Sequence, residues 1–354
     1  MKYSLIFYIL LAVFGSDGEN NGSVPIQKSS VQKIVPTFVY HRFGDDRYPS
    51  TNISNGAFES HLKHLKENGY KSLSFSESID YLQSRQKAQK VVCLTVDDGY
   101  KSFIENGLPL LRAYGFTATV FVNTASVGNP DYLDWEQLKT LKEAGIEIGN
   151  HSDSHAYFLS DSLDTERQRF GADLIKSQAL IEEHLGVAPT AFAFPYGEFD
   201  EQMKTIVKGM GLKGAAAQSS GVNSSEGDFY QVPRFPMSDR YGQIGSFIEK
   251  LGMLPISVDK VEAISTGYSG TKDNPRIIFK FKESNLRVEQ LQCFVQGKRC
   301  SKSLRILRGG QVQLSVKSKQ VLTNRRSLYT ITVPDKEGKW HWYSYTWVIP
   351  TIEE

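Results

Sequence analysis

Asp97 and Asp98 stand side by side at the end of the apolar run "CLTVDDG", and Gly99 follows at once. Two adjacent carboxylates repel each other, so the pair needs a positive partner or full solvation. Further along, "HSDSH" spaces His151 and His155 so that one turn of helix or a compact loop aims both imidazoles at one point. Two neutral nitrogens and one carboxylate oxygen make a three-ligand site with an open coordination position. Zn²⁺ suits that set, and Co²⁺, Ni²⁺ or Mn²⁺ also fit. A cation there removes the repulsion, because one Asp of the pair binds it while the other stays free as a base.

These residues need a scaffold that brings them together. From residue 34 to about 252, short apolar runs alternate with amphipathic stretches, which predicts repeated strand and helix units and a parallel sheet, doubly wound or closed into a barrel. Phe58, Leu62 and Leu65 share one helical face, and Asp134 with Gln137 forms a capping-box pattern. His61 and His64 read as solvated on the polar side of the first helix, and His184 as a helix-end cation. Immediately after predicted strands come His41, the Asp97–Asp98 pair, Asn123, His151, and Pro195 with Tyr196. All strand C-termini of a parallel sheet open on one face, so these residues converge there.

"TVDDG", "HSDSH" and "FAFPYG" together resemble the first three motifs of the NodB-like polysaccharide deacetylases, carbohydrate esterase family 4. The resemblance implies a distorted (β/α) barrel of about seven strands, a divalent metal, and hydrolysis of N-acetyl groups from a polysaccharide. It makes Asp97 the catalytic base, Asp98, His151 and His155 the metal ligands, and the Tyr196 backbone N–H a donor to the oxyanion. Such a metal lowers the pKa of a nucleophilic water and polarises the acetyl carbonyl.

Two departures accompany it. The family's third motif carries an Arg before the Pro, whereas "TAFAFPYG" has none; Arg234 in "VPRFPM" is the candidate to pair with Asp97 instead. The family's late Leu-x-His motif, which supplies the general acid, is also missing, since no His lies between His184 and His341. "FVYHRFGDDRYPS" resembles the subgroup in which that motif is moved to the front, which makes His41 the acid.

From residue 256 to 354 short alternating runs predict an all-β, sandwich-like accessory module. Its "KWHWYSYTW" strand offers an aromatic face for packing or for sugar rings, and Cys293 and Cys300 flank a Gly297 turn that suits a disulfide hairpin. Lys2 and the apolar stretch after it read as a signal peptide over residues 1–16, with a polar leader over 17–33, so the expected location is secreted, periplasmic or cell envelope. With 41 basic and 39 acidic residues spread along the chain, nothing points to nucleic acid, and stable membrane insertion after signal removal is not expected. Peptidoglycan ranks first as substrate because an exported enzyme with an appended β-module resembles cell-wall deacetylases. Poly-N-acetylglucosamine follows, then chitin oligomers. The rivals are a glycan-binding protein that has lost catalysis and an amidase acting on a small non-sugar amide.

Overall fold

Alternating strand and helix segments build a curled parallel sheet, with an all-β region after it. The structure is a computed structural model and describes residues 32–159, 163–264 and 274–352. The expected signal peptide, and all but the end of the leader, lie outside the described residues. Residues 32–354 group as one compact unit.

The sheet contains β1 (Thr37–Tyr40), β2 (Lys71–Leu73), β3 (Val91–Val96), β4 (Thr119–Val122), β5 (Glu147–Asn150), β6 (Ala191–Ala193), β7 (Gly214–Ala216) and β8 (Phe235–Pro236). Seven of them run in the order β7-β6-β5-β4-β3-β1-β8, every pairing parallel. β2 takes the first half of one edge of β3 and β4 takes the second. The two outer edges of the curl are joined by one stretch of chain. Val232 exchanges backbone hydrogen bonds with Ala215 and Ala217 beside β7, at 2.8 and 2.9 Å, and three residues later Phe235 pairs with Phe38 of β1. Arg234 sits at that crossing, where the barrel closes.

The helices obey the capping and patterning rules of their sequences. α1 (Asn55–Glu67) starts at the Ser54 cap and buries Phe58, Leu62 and Leu65. α2 (Phe75–Gln83), α3 (Leu108–Tyr114) and α4 (Trp135–Glu143) follow, the last carrying the Asp134–Gln137 capping box. α5 (Leu163–Leu185), α6 (Glu201–Gly209) and α7 (Ile244–Leu251) complete the helices. Phe170 and Leu174 of α5 pack with Phe192 and Phe194 on the sheet.

One expectation fails here. His61 is fully buried, not solvated: its ring stacks on Phe247 at 4.0 Å, with Nδ1 3.1 Å from the Tyr40 hydroxyl and Nε2 2.7 Å from the Gly242 carbonyl. It lies beside Leu62 and Leu65 on the face that α7 covers, and two specific partners make a neutral imidazole tolerable there. His184 likewise has a partner, stacking on Trp135 at 4.1 Å.

The C-terminal region is two sheets sharing one core. β9 (Leu254–Pro255), β17 (Trp340–Val348), β16 (Arg326–Pro334), β12 (Gln292–Val295) and β13 (Lys298–Arg299) form one sheet in that order. β10 (Val258–Ile264), β11 (Arg276–Lys282), β15 (Gln311–Lys317) and β14 (Ser301–Ile306) form the other. Ile277, Phe279 and Phe281 on one side meet Tyr329, Ile331 and Val333 on the other, with the period of two that pleated strands require. β10 is an edge strand of half-buried and exposed residues with no strict alternation. Cys293 and Cys300 are disulfide-bonded across the β12–β13 hairpin. The aromatics of β17 are spent on packing: Tyr343, Tyr345 and Trp347 cover the sandwich core, while Trp342 meets Phe235 of the barrel at 5.5 Å. Trp340 remains exposed.

Burial lowers the His61 pKa to about 4, from the 6.5 of a free imidazole. The unfolded chain therefore binds a proton that the folded chain refuses, so this group costs stability as pH falls from 6.5 through about 4, by up to roughly 3 kcal/mol. Urea midpoints across that range should fall, and His61→Asn should flatten the part of the slope due to this residue.

Candidate active site

β3 ends at Val96, and the Asp97 N–H donates to the Tyr40 carbonyl at 2.9 Å, extending the β1–β3 register to the sheet edge. Asp98 and Gly99 then both adopt left-handed backbone, at φ 72° each. A Cβ at position 99 would approach Val122 Cγ1 to 3.0 Å in that conformation, which accounts for the glycine. The turn sends the two neighbouring carboxylates to different partners.

Asp97 is fully buried and accepts a bidentate pair from Arg234, Nη1 to Oδ1 and Nη2 to Oδ2, each at 2.7 Å. Arg234 is equally buried; its Nε donates to the Ala217 carbonyl at 2.9 Å, and Nη1 also donates to Thr95 Oγ1 at 3.0 Å. Burial by itself would raise the Asp97 pKa, but the Arg234 charge outweighs it and holds the carboxyl below its usual range.

Asp98 faces the histidines. Its Oδ1 lies 3.4 Å from His151 Nε2 and 3.3 Å from His155 Nε2. Burial opposes its ionisation, and the two imidazoles reverse that when their Nε2 atoms carry protons, taking its pKa well below the ordinary value. The loop carrying the histidines is compact and non-helical, pinned from several sides. Asn150 Oδ1 accepts from the Ser152 N–H at 2.8 Å, and Ser152 Oγ accepts from the His155 N–H at 3.0 Å. Asp173 of α5 accepts from the Asp153 and Ser154 N–H groups. Ser177 donates to Asn150 Oδ1, or to the Ser152 carbonyl, both 3.0 Å away.

His151 Nδ1–H donates to the Ala193 carbonyl at 2.8 Å, which leaves Nε2 as a lone pair. That Nε2 is buried and has no hydrogen-bond partner. The ligand atoms of Asp98, His151 and His155 lie within 4.8 Å of one another. An orphaned, correctly protonated imidazole beside a second one and a carboxylate is the donor set of a divalent cation, so the residues present fit such an ion.

Tyr196 occupies the turn after β6 with φ 57°, left-handed for a non-glycine residue. Its ring meets His155 edge-on at 4.5 Å and stacks on Tyr157 at 3.9 Å. Its carbonyl accepts from Arg326 Nη1 at 2.8 Å. His41 follows β1 directly, half-buried, and is close enough to act electrostatically on both Asp97 and Asp98. The structure thus gathers His41, Asp97, Asp98, His151, His155, Tyr196 and Arg234 around one end of the sheet. Asn123 turns to Ser126 in its own loop, at 2.7 Å. His341 bonds instead to the Pro255 carbonyl, at 2.8 Å, within the C-terminal sheet.

A family model for polysaccharide deacetylase matches residues 84–215, the stretch that holds Asp97, Asp98, His151, His155 and Tyr196. The chain carries a polysaccharide deacetylase domain. The poly-beta-1,6-N-acetyl-D-glucosamine N-deacetylase of Staphylococcus aureus (strain MRSA252) is 25% identical over 234 residues, covering 62% of this chain and 80% of that one. The structure of IcaB from Ammonifex degensii is 26% identical, with a TM-score of 0.55 over 61% of this chain and 97% of that chain. Streptococcus pyogenes deacetylase PplD, solved in complex with acetate, shares the fold at 21% identity, with a TM-score of 0.57 over 62% and 99% of the two chains. The deacetylase barrel is therefore NodB-like, and the two C-terminal sheets are appended to it.

Sequence motifs give no sign of three further residues at this site: Glu198, Arg325 and Arg326. Glu198 is buried and pairs bidentately with Arg325, at 2.8 and 2.9 Å, across 127 residues of sequence.

Removing Arg234 leaves a buried, unpaired carboxylate. Arg234→Gln should lower unfolding free energy by about 3–5 kcal/mol at neutral pH, and adding Asp97→Asn should restore part of it. Denaturant unfolding of the four proteins of that cycle measures the coupling.

Proposed function

We propose that the deacetylase hydrolyses N-acetyl groups of an extracellular N-acetylglucosamine polymer, using a divalent cation held by Asp98, His151 and His155. The observation that carries this reading is the division of labour between adjacent carboxylates: Asp98 belongs to the histidine cluster, and Asp97 is withheld from it by Arg234. When bound, the cation supplies a nucleophilic water near neutral pH and polarises the amide carbonyl; zinc suits two imidazoles and one carboxylate.

The chain's own residues do the rest. Asp97, kept ionised by Arg234, accepts a proton from water as the water adds to the acetyl carbon. The Tyr196 N–H, which has no acceptor among the described residues, donates to the oxygen that gains charge. His41 delivers a proton to the amine as the carbon–nitrogen bond breaks, so acetate and a free amino sugar leave. His41 stands at the end of β1, next to the Asp97 strand, which supports its replacing the late histidine motif of other family members.

Poly-N-acetylglucosamine is the substrate we favour, because a relative aligned over 62% of the chain is named for that polymer. Peptidoglycan, the first choice on the appended module, becomes the alternative. Export is part of the same reading: among the described residues no helix is long and apolar enough to cross a membrane, and the N-terminal stretch has the pattern of a signal peptide.

Acetate release from both polymers, with Zn²⁺ and with a chelator, tests the proposal. The expected result is acetate from poly-N-acetylglucosamine that disappears on chelation; acetate from peptidoglycan alone would reverse the substrate order. Asp97→Asn should abolish turnover with metal content unchanged, whereas His151→Ala should lose both, as read by acetate assay and elemental analysis. Full activity in either variant would overturn the assignment. His41→Ala should lower kcat by ~10²–10⁴-fold with a smaller change in KM.

A further inference from the structure

The appended sandwich reaches the active site through two adjacent arginines. Arg325, just before β16, is buried, and every polar face of its guanidinium is used. Nε and Nη2 hold Glu198, Nη2 also donates to the Leu159 carbonyl at 2.7 Å, and Nη1 donates to the Pro350 carbonyl at 2.6 Å. Glu198 lies two residues after Tyr196, and Leu159 four residues after His155. One side chain of the sandwich therefore ties down both loops of the site.

A continuous stack runs over the same ground. Arg325 lies over the Tyr157 ring at 4.2 Å, Tyr157 stacks on Tyr196 at 3.9 Å, and Tyr196 meets the His155 ring at 4.5 Å. Arg326, the first residue of β16, adds the contact nearest the chemistry. Its Nη1 donates to the Tyr196 carbonyl at 2.8 Å, its guanidinium lies 5.3 Å from the Tyr196 ring, and its Nε is 3.8 Å from Glu198.

Tyr196 needs such support. A left-handed tyrosine costs of order 1–3 kcal/mol and persists only when its surroundings over-determine it. In a turn of "FPYG" the local sequence offers no side chain that could hold that peptide. A charged donor on the carbonyl supplies that constraint from outside the barrel, while the ring is clamped between Tyr157 and His155 of the neighbouring barrel loop.

We infer that the C-terminal sandwich is a structural part of the catalytic site, with Arg326 a positioning residue that fixes the Tyr196 backbone and so aims its N–H. This deepens the proposed function and rests on the reading of that N–H as the oxyanion donor. The sandwich then contributes to turnover and not merely to holding the polymer.

The test uses the full-length chain with Arg326→Ala and Arg326→Lys, and three readouts. Hydrogen exchange of the peptide spanning residues 194–198 reads the turn directly; kcat and KM on a soluble N-acetylglucosamine oligomer read its effect; and Tm reads global stability. Losing an oxyanion donor outright costs ~10²–10³ in kcat, so loosening one should cost about tenfold. Arg326→Ala should show faster exchange in 194–198, that loss in kcat with KM nearly unchanged, and a Tm close to wild type. Arg326→Lys, which keeps a charged donor, should recover most of it. Exchange and kcat at wild-type levels in Arg326→Ala would overturn the inference. So would a loss of kcat accompanied by faster exchange throughout the chain, which is general destabilisation. A wild-type chain that releases no acetate defeats the deacetylase reading instead, and the exchange comparison then decides the positioning claim alone.

Discussion

Two neighbouring carboxylates cannot share one environment, and the architecture of this deacetylase follows from separating them. Asp97 and Asp98 differ by one position, yet one faces a buried guanidinium and the other a pair of imidazoles. Ordinary extended backbone would also turn them apart, but towards opposite faces of the sheet. The left-handed Asp98–Gly99 turn keeps both at the strand end while sending them to different partners. Their separate partners let two carboxylates in unlike surroundings stand at contact distance.

Strain is concentrated where the chemistry is. Asp98, Ser152, His155 and Tyr196 are four of the six non-glycine residues with positive φ among the described residues, and Ser284 and Gln296 are in turns of the sandwich. Each such residue is unfavourable by itself and is held by something rigid. For Ser152 and His155 the holding groups come from Asn150 and the neighbouring α5; for Tyr196 they come from the sandwich and from the loop that carries His155 and Tyr157. The parallel sheet supplies the platform, since its strands end at one level and the four strained residues of the site lie past such ends.

How much of this was legible in the sequence depended on whether the signal was local. The strands of the barrel announce themselves through short apolar runs, and the residues gathered at the site directly follow those runs, as with Asp97 after "CLTV" and His151 after "IEIGN". His61 was misread because a polar residue type was taken to imply a polar face; its partners, Tyr40, Gly242 and Phe247, belong to distant segments. β10 has no alternating signature in the sequence, since Asp259, Lys260 and Glu262 interrupt its apolar residues. Arg325 and Arg326 carried no local sign at all, since Glu198 and the Tyr196 carbonyl, which they hold, are 127 and 130 residues away, and a sequence does not state who pairs with whom across that distance.

The Asp97–Arg234 pair also orders events in time. Its members are 137 residues apart, and Arg234 lies on the segment that joins the two edges of the curled sheet. The cluster of Asp98, His151 and His155 lies wholly within the chain made earlier, whereas Asp97 remains an uncompensated charge until residue 234 has been synthesised. A half-made barrel that tried to bury its core would have to bury that charge unpaired, at several kcal/mol. Closure of the sheet therefore coincides with charge neutralisation of the Asp97 carboxylate.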